Sequence, residues 1–270
     1  RRSPTMASGT RGSKRKLGAA QTAQAMTAAA GLQEQEDEPM VAFNTAHYNG
    51  GLNARFEAED AISFFAGGDE GGGGMFEDPE KRDIAGATEK LMDVFRKHGL
   101  VDGCTLLDVG AGTGLMLGHL SRAVGESGKV LAIDVSQRFV GFMEQRVKRN
   151  KLPNVRVSKC SPKSADLADY AGKVDLAIII DVYHHFEYPR TFMRSLHTVL
   201  RDGGRVVVCD FHRDPAKMVH HKPEWAIEHI RADQQTFRQE IESAGFELVD
   251  SAEVQELVEN YVMVFQSSSK

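Results

Sequence analysis

The chain has 270 residues, 41% hydrophobic and 26% charged, a balance that suits one soluble domain of about 200 residues with extra segments. A net charge of −5 speaks against a nucleic-acid surface across the whole protein, and no apolar run approaches the roughly 18 residues that span a bilayer. Three widely spaced cysteines, Cys104, Cys160 and Cys209, form neither a disulfide framework nor a CxxC pair, which fits a reduced, intracellular setting, cytoplasmic or organellar.

Residues 1–33 carry six basic residues (Arg1, Arg2, Arg11, Lys14, Arg15, Lys16) and no acid, so a total of −5 leaves the remainder at −11. Segment 1–40 is rich in Ala, Ser, Thr and Gln and cannot bury enough surface to offset its ordering entropy, so it is expected to be disordered. Its composition is also that of an organellar transit peptide, and GSKRK (Gly12–Lys16) that of a basic import signal. Arg1 cannot initiate a chain; Met6 is the first residue that can.

Segment 41–84 is expected to be an N-terminal cover, with scattered aromatics (Phe43, Tyr48, Phe56, Phe64, Phe65) and a glycine stretch, Gly67–Gly74, that reads as a flexible linker or loop tip. Regular structure is expected from Asp78–Pro79, with the main folded domain over 85–267. Apolar spacing predicts a helix over Ala85–His98. Strand and helix then alternate: strand Thr105–Val109, helix Leu115–Val124, strand Val130–Ile133, helix Gln137–Asn150, strand Val155–Val157 and a weak helix Ser164–Tyr170. Leu176–Ile180 is a strand apolar on both faces, as a central parallel strand requires. Helix Pro189–Leu200, a turn at Asp202–Gly204, strand Arg205–Cys209, helix Asp233–Ser243 and the closing strands Phe246–Val249 and Tyr261–Phe265 complete the series. Such alternation is the signature of an α/β, doubly wound, Rossmann-like sheet that is mostly parallel with helices on both faces.

The turn leaving the first strand, LLDVGAGTG (Leu106–Gly114), misses the dinucleotide pattern G-x-G-x-x-G, because Leu115 stands where the third glycine belongs. The next strand ends in an acid, Asp134, 24 residues beyond Gly110. A carboxylate there can accept both hydroxyls of a ribose. An NAD-linked oxidoreductase would carry that acid too.

Four blocks in order, LLDVGAGTG (106–114), VLAIDVS (130–136), VDLAIIIDVYHHFEYP (174–189) and LRDGGRVVVCDFHR (200–213), resemble the class I S-adenosylmethionine-dependent methyltransferases, in a subset with a VYHHFE-type fourth strand end. The resemblance implies a seven-stranded sheet whose last strand is inserted antiparallel. It implies S-adenosyl-L-methionine as cofactor, with Asp108, Gly110 and Gly112 about its methionine end, Ala111 and Gly114 also in the cofactor-binding set, Asp134 on the ribose and Val135 beside the adenine. Where the family often has an acid near the adenine, KCSP offers Ser161; Asp181 closes the cofactor set at the fourth strand end.

Methyl transfer needs chiefly a nucleophile held in line, near 3 Å from the methyl, and a base if the nucleophile starts protonated. Tyr183, His184 and His185 follow the central strand and form the candidate catalytic set. In an extended segment neighbours point oppositely, so His185 is expected to face the cleft with His184 close behind; the alternative is that they are packing groups. Tyr183 either lines the pocket or covers the sheet edge. Asp210 and His212 end the fifth strand and could meet the substrate. No metal is demanded, and His212, His220, His221 and His229 lack a ligand spacing, so no metal site is expected. Segment 214–231, with Trp225, is expected to wall the substrate pocket. The expected partner is a small molecule; DVYHH in place of an N/D-P-P-Y/F end disfavours nucleic-acid methylation. A cofactor-binding protein of the same fold without turnover would show the same motifs.

Overall fold

The computed structural model describes residues 38–268; the basic segment with its expected disorder and targeting signals lies, up to residue 37, outside the described residues. The described residues from 39 onward form one compact unit, so the cover segment belongs to the same body as the sheet.

Seven strands, β1 (Thr105–Val109), β2 (Lys129–Asp134), β3 (Val155–Lys159), β4 (Val174–Ile180), β5 (Leu200–Phe211), β6 (Phe246–Ala252) and β7 (Asn260–Ser267), form a single sheet in the order 3-2-1-4-5-7-6. The pairings of β1 to β5 are parallel, and β7 runs antiparallel to both β5 and β6. The order reverses between β1 and β4, and ligands bind such sheets at the carboxyl ends beside that switch.

Period-two alternation sends Leu106, Val130, Ala132, Leu176 and Ile178 to one face of the sheet and Leu107, Leu131, Ile133, Ala177 and Ile179 to the other. Among the helices, α1 (Ala61–Phe65) and α2 (Asp83–Gly86) belong to the cover. The first sheet face is packed by α3 (Thr88–Lys97), α4 (Leu117–Val124) and Met143 of α5 (Gln137–Arg149). The second is packed by α6 (Pro189–Val199), Ala226 of α7 (Trp225–His229), and α8 (Gln234–Ser243). Ser136 caps α5, its Oγ accepting from the Phe139 N–H at 3.3 Å while it donates to the Phe56 carbonyl at 2.9 Å. One cap thus ties the cover to the sheet end.

Four expectations change. Ordered backbone reaches well upstream of Asp78, because Phe56, Phe65 and Phe76 pack on Phe139 of α5. The glycine stretch 67–74 is a loop tip, not a spacer: Met75 and Phe76 donate back to the Phe64 and Phe65 carbonyls, and Arg149 holds the carbonyls of Asp69 and Glu70. The weak helix Ser164–Tyr170 reduces to a 3-10 turn at Ala168–Tyr170, and the turn at Asp202–Gly204 is absorbed into a longer, irregularly paired β5.

Candidate functional site

A cleft opens at the carboxyl ends of β1, β2 and β4. The turn after β1 is fastened to β2: the N–H groups of Gly110 and Ala111 both donate to the Ile133 carbonyl, and that of Gly112 donates to Asp134 Oδ2 at 2.9 Å. The other oxygen of Asp134 accepts from the Ser136 N–H at 2.8 Å. Gly110 and Gly112 have φ of 65° and 55°, in the left-handed region that favours glycine. A side chain at Gly110 would place its Cβ 2.5 Å from Val182 Cγ2, and one at Gly112 would meet the Phe76 ring.

Asp108, Gly110, Ala111, Gly112, Asp134, Val135 and Asp181 all line this cleft. Asp108 is 3% exposed, and burial, reinforced by the Asp134 charge, pushes its carboxyl up to about 7. Burial pushes Asp134 up to about 6 against the opposing pull of the Ser136 and Gly112 amides. Among the described residues no group forms a hydrogen bond or ion pair with the Asp108 carboxylate. Gly114 and Ser161 stand outside the cleft wall. A Cβ on Gly114 would strike Leu117 at 2.7 Å, so that glycine serves helix packing. Ser161 closes a turn with Ser164, while its neighbours Cys160 and Pro162 face the cleft.

Asp181 follows β4 with φ 52° and is held by Arg82 of the cover in a buried ion pair and by the Asn260 side-chain amide. Burial raises its carboxyl to about 6, and Arg82 opposes the rise. The guanidinium of Arg82 also lies 4.6 Å from the centre of the Phe76 ring. No motif marked Phe76 or Arg82; only the packing of segment 41–84 onto the sheet reveals them.

A second cavity shares Phe56, Phe76, Arg82, Asp181 and His185 with the cleft, so the two abut along these side chains. Phe64, Phe65, Met75 and Trp225 supply apolar wall, as segment 214–231 was expected to do through Trp225.

The segment Tyr183–His185 is a 3-10 turn, not an extended strand, so the two histidines do not point apart. Their rings lie 4.3 Å apart, both buried; His185 faces both cavities and His184 the second. Tyr183 is corrected to a core residue: it is fully buried against Phe186 and Phe237 and lines neither cavity. Asp210 does not meet the cavities either. Its Oδ1 is 2.6 Å from His184 Nδ1, and its Oδ2 accepts the His184 backbone N–H. His185 Nδ1 donates to the Leu52 carbonyl at 3.2 Å, and burial, with the nearby His184, holds its pKa well below the usual imidazole value. His229, which sequence spacing grouped with His220 and His221, instead joins this cluster, its Nε2 3.3 Å from that of His184 and its Nδ1 2.9 Å from His47 Nε2. His220 and His221 are engaged by Asp83 and Glu259, and His212 by Lys217.

Residues 100–260 match the family model described as a methyltransferase domain. Over 106 residues the chain is 37% identical to an uncharacterized 37.1 kDa protein in a transposon of Streptomyces fradiae, covering 39% of this chain but only 30% of that relative's length. It is 27% identical over 177 residues to the ubiquinone/menaquinone biosynthesis C-methyltransferase of Escherichia fergusonii, covering 56% of this chain and 70% of that protein. The crystal structure of a SAM-dependent methyltransferase from Aquifex aeolicus superposes with a TM-score of 0.57 at 27% identity, over 71% of this chain and 93% of that one.

Proposed function

This chain belongs to the class I S-adenosylmethionine-dependent methyltransferases, and on that premise we propose that it methylates a small, largely apolar acceptor held in the second cavity. The site fits the cofactor by its own chemistry. Asp108 is a buried carboxylate in the cleft wall with no partner from the described residues, which suits the ammonium of an amino-acid tail. Asp134 spends one lone pair of each oxygen on a backbone amide and keeps the others for hydroxyls. When bound, S-adenosylmethionine supplies an already electrophilic methyl group.

What the chain must then add is position and, for a protonated nucleophile, removal of a proton. The observation that carries the reading is His185, which faces both cavities at once. A carbonyl oxygen can only accept, so the Leu52 contact fixes His185 as Nδ1–H and leaves the Nε2 lone pair to the cavity side. The buried Asp210, which also takes the Phe211 N–H, orients His184 in the same sense. Imidazole nitrogen is therefore what the chain offers the reacting end of the acceptor. The likeness to a quinone-pathway C-methyltransferase and the aromatic wall of the second cavity support an apolar organic acceptor. Val135 beside the adenine and Asp181, through Arg82, at the boundary complete the set.

S-adenosylhomocysteine at 100 times its Kd should stabilise the protein by about 2.7 kcal/mol. With methyl-labelled cofactor and a metabolite extract, a labelled small molecule should form. His185→Ala should keep the thermal shift and lose the product. Absence of any shift at millimolar ligand counts against the cofactor site; undiminished product removes His185 from its role.

A further inference from the structure

We propose that His184, His185 and His229 bind a divalent transition-metal ion of the Zn2+ type where the two cavities abut, with a coordination position left open toward the acceptor. One ring nitrogen of each lies within 4.8 Å of the others. The Nε2 atoms of His184 and His229 are 3.3 Å apart. Two nitrogens bonded at about 2.0–2.1 Å to one tetrahedral ion sit roughly 3.3 Å apart, so this pair already has ligand spacing.

The orientation of the three rings is the stronger argument. A metal-bound histidine donates its other N–H to an outer partner that fixes ring and tautomer. Here all three have one. His184 Nδ1 meets the buried carboxylate of Asp210, His185 Nδ1 meets the Leu52 carbonyl, and His229 Nδ1 meets His47 Nε2. Trp225 stacks on the His229 ring at 4.3 Å and holds its plane. Each ring is thus anchored through Nδ1, and the Nε2 atoms of His184 and His229 meet. Three imidazole nitrogens select ions such as Zn2+ or Co2+ over Mg2+ or Ca2+, which prefer oxygen.

A hydrogen-bond relay, Asp210 to His184 to His229 to His47, would use the same short contacts. It has no use for His185, whose Nδ1–H is committed to a carbonyl although its ring lies 4.3 Å from that of His184 and 5.1 Å from that of His229. The third convergent ring favours the ion. Sequence spacing hides the site because His229 is 44 residues beyond His185. Metal binding stands on this geometry alone, and its service to the acceptor rests on the methyltransferase reading; with an ion bound, the second nitrogen of His185 would be a ligand, so the ion's open position, and not the bare imidazole, would face the acceptor.

The test uses the full chain, treated with chelator, dialysed and titrated with Co2+ by visible absorbance, then with Zn2+ in displacement. One ion per chain should bind, with the absorption of Co2+ on nitrogen donors in a tetrahedral field. His47→Ala, at an exposed outer partner that does not threaten folding, should weaken binding by about 10–100-fold. His229→Ala should weaken it at least as much, and His212→Ala should leave it unchanged. The S-adenosylhomocysteine thermal shift, measured on each variant, reports folding and the cofactor site separately. Loss of that shift with metal binding intact removes the cofactor reading and keeps the ion. No uptake of Co2+ or Zn2+ by the wild type, as a relay would give, overturns the proposal. So does uptake undiminished in both His47→Ala and His229→Ala.

Discussion

Gly112 donates its backbone N–H to the carboxylate of Asp134 at 2.9 Å, so the bend after the first strand and the acid at the end of the second are one unit. Asp134→Ala removes the proposed ribose acceptor and the anchor of the bend together. Cofactor binding should weaken by at least about 1.5–3 kcal/mol, the range for a hydrogen bond to a charged group. Calorimetric titration with S-adenosylhomocysteine measures it, and an unchanged Kd would refute the role.

The buried acids also set a pH dependence. In the folded chain Asp134 keeps its proton to about 6 and Asp108 to about 7, against about 3.9 for an unfolded aspartate. Between those values the folded state holds more protons than the unfolded one. The contribution of these groups to stability is therefore greatest below the unfolded value and is lost as pH rises through about 6 and 7. The Tm without cofactor should fall across that window from this cause, and Asp108→Asn should flatten the slope. Affinity for S-adenosylhomocysteine should rise over the same range, because binding needs the carboxylates ionised.

Arg82 and Asp181 form an ion pair with side chains 10% and 2% exposed. Arg82→Met leaves a buried carboxylate without its cation and should cost about 3–5 kcal/mol. Adding Asp181→Asn should restore much of that. Urea unfolding of the single and double variants reads the difference, and a double variant no better than the single would show that the loss is not electrostatic.

Gly110→Ala should destabilise the protein by more than the roughly 1–2 kcal/mol of a left-handed non-glycine residue. The excess comes from Val182, whose methyl carbons would lie 2.5 and 2.8 Å from the new Cβ. Val182→Ala in the same chain should recover the excess and leave the backbone cost, as measured by thermal unfolding.

The strands were legible because buried parallel strands are short apolar runs, and Leu106–Val109 and Leu176–Ile180 fall where the pattern puts them. The positions of Asp108 and Asp134 were legible because acids at the strand ends beside the switch point fall on the cleft wall. Tyr183 was not, since one residue in a turn points to core or cavity according to a backbone that periodicity does not describe. The pairing of His229 with His184, and of Arg82 with Asp181, joins residues 45 and 99 positions apart. Side-chain pairs at that separation leave no local pattern. Ser161 failed for a smaller reason: its turn with Ser164 rotates it away and presents Cys160 and Pro162.

The Phe76 ring sits over the Gly112 bend, and the same ring rests on Arg82. A molecule lying along that bend is therefore roofed by a part of the chain that precedes the sheet altogether. Occupancy of the cleft would bridge roof and floor, so residues near Phe76 should exchange their amide hydrogens more slowly once the floor is occupied.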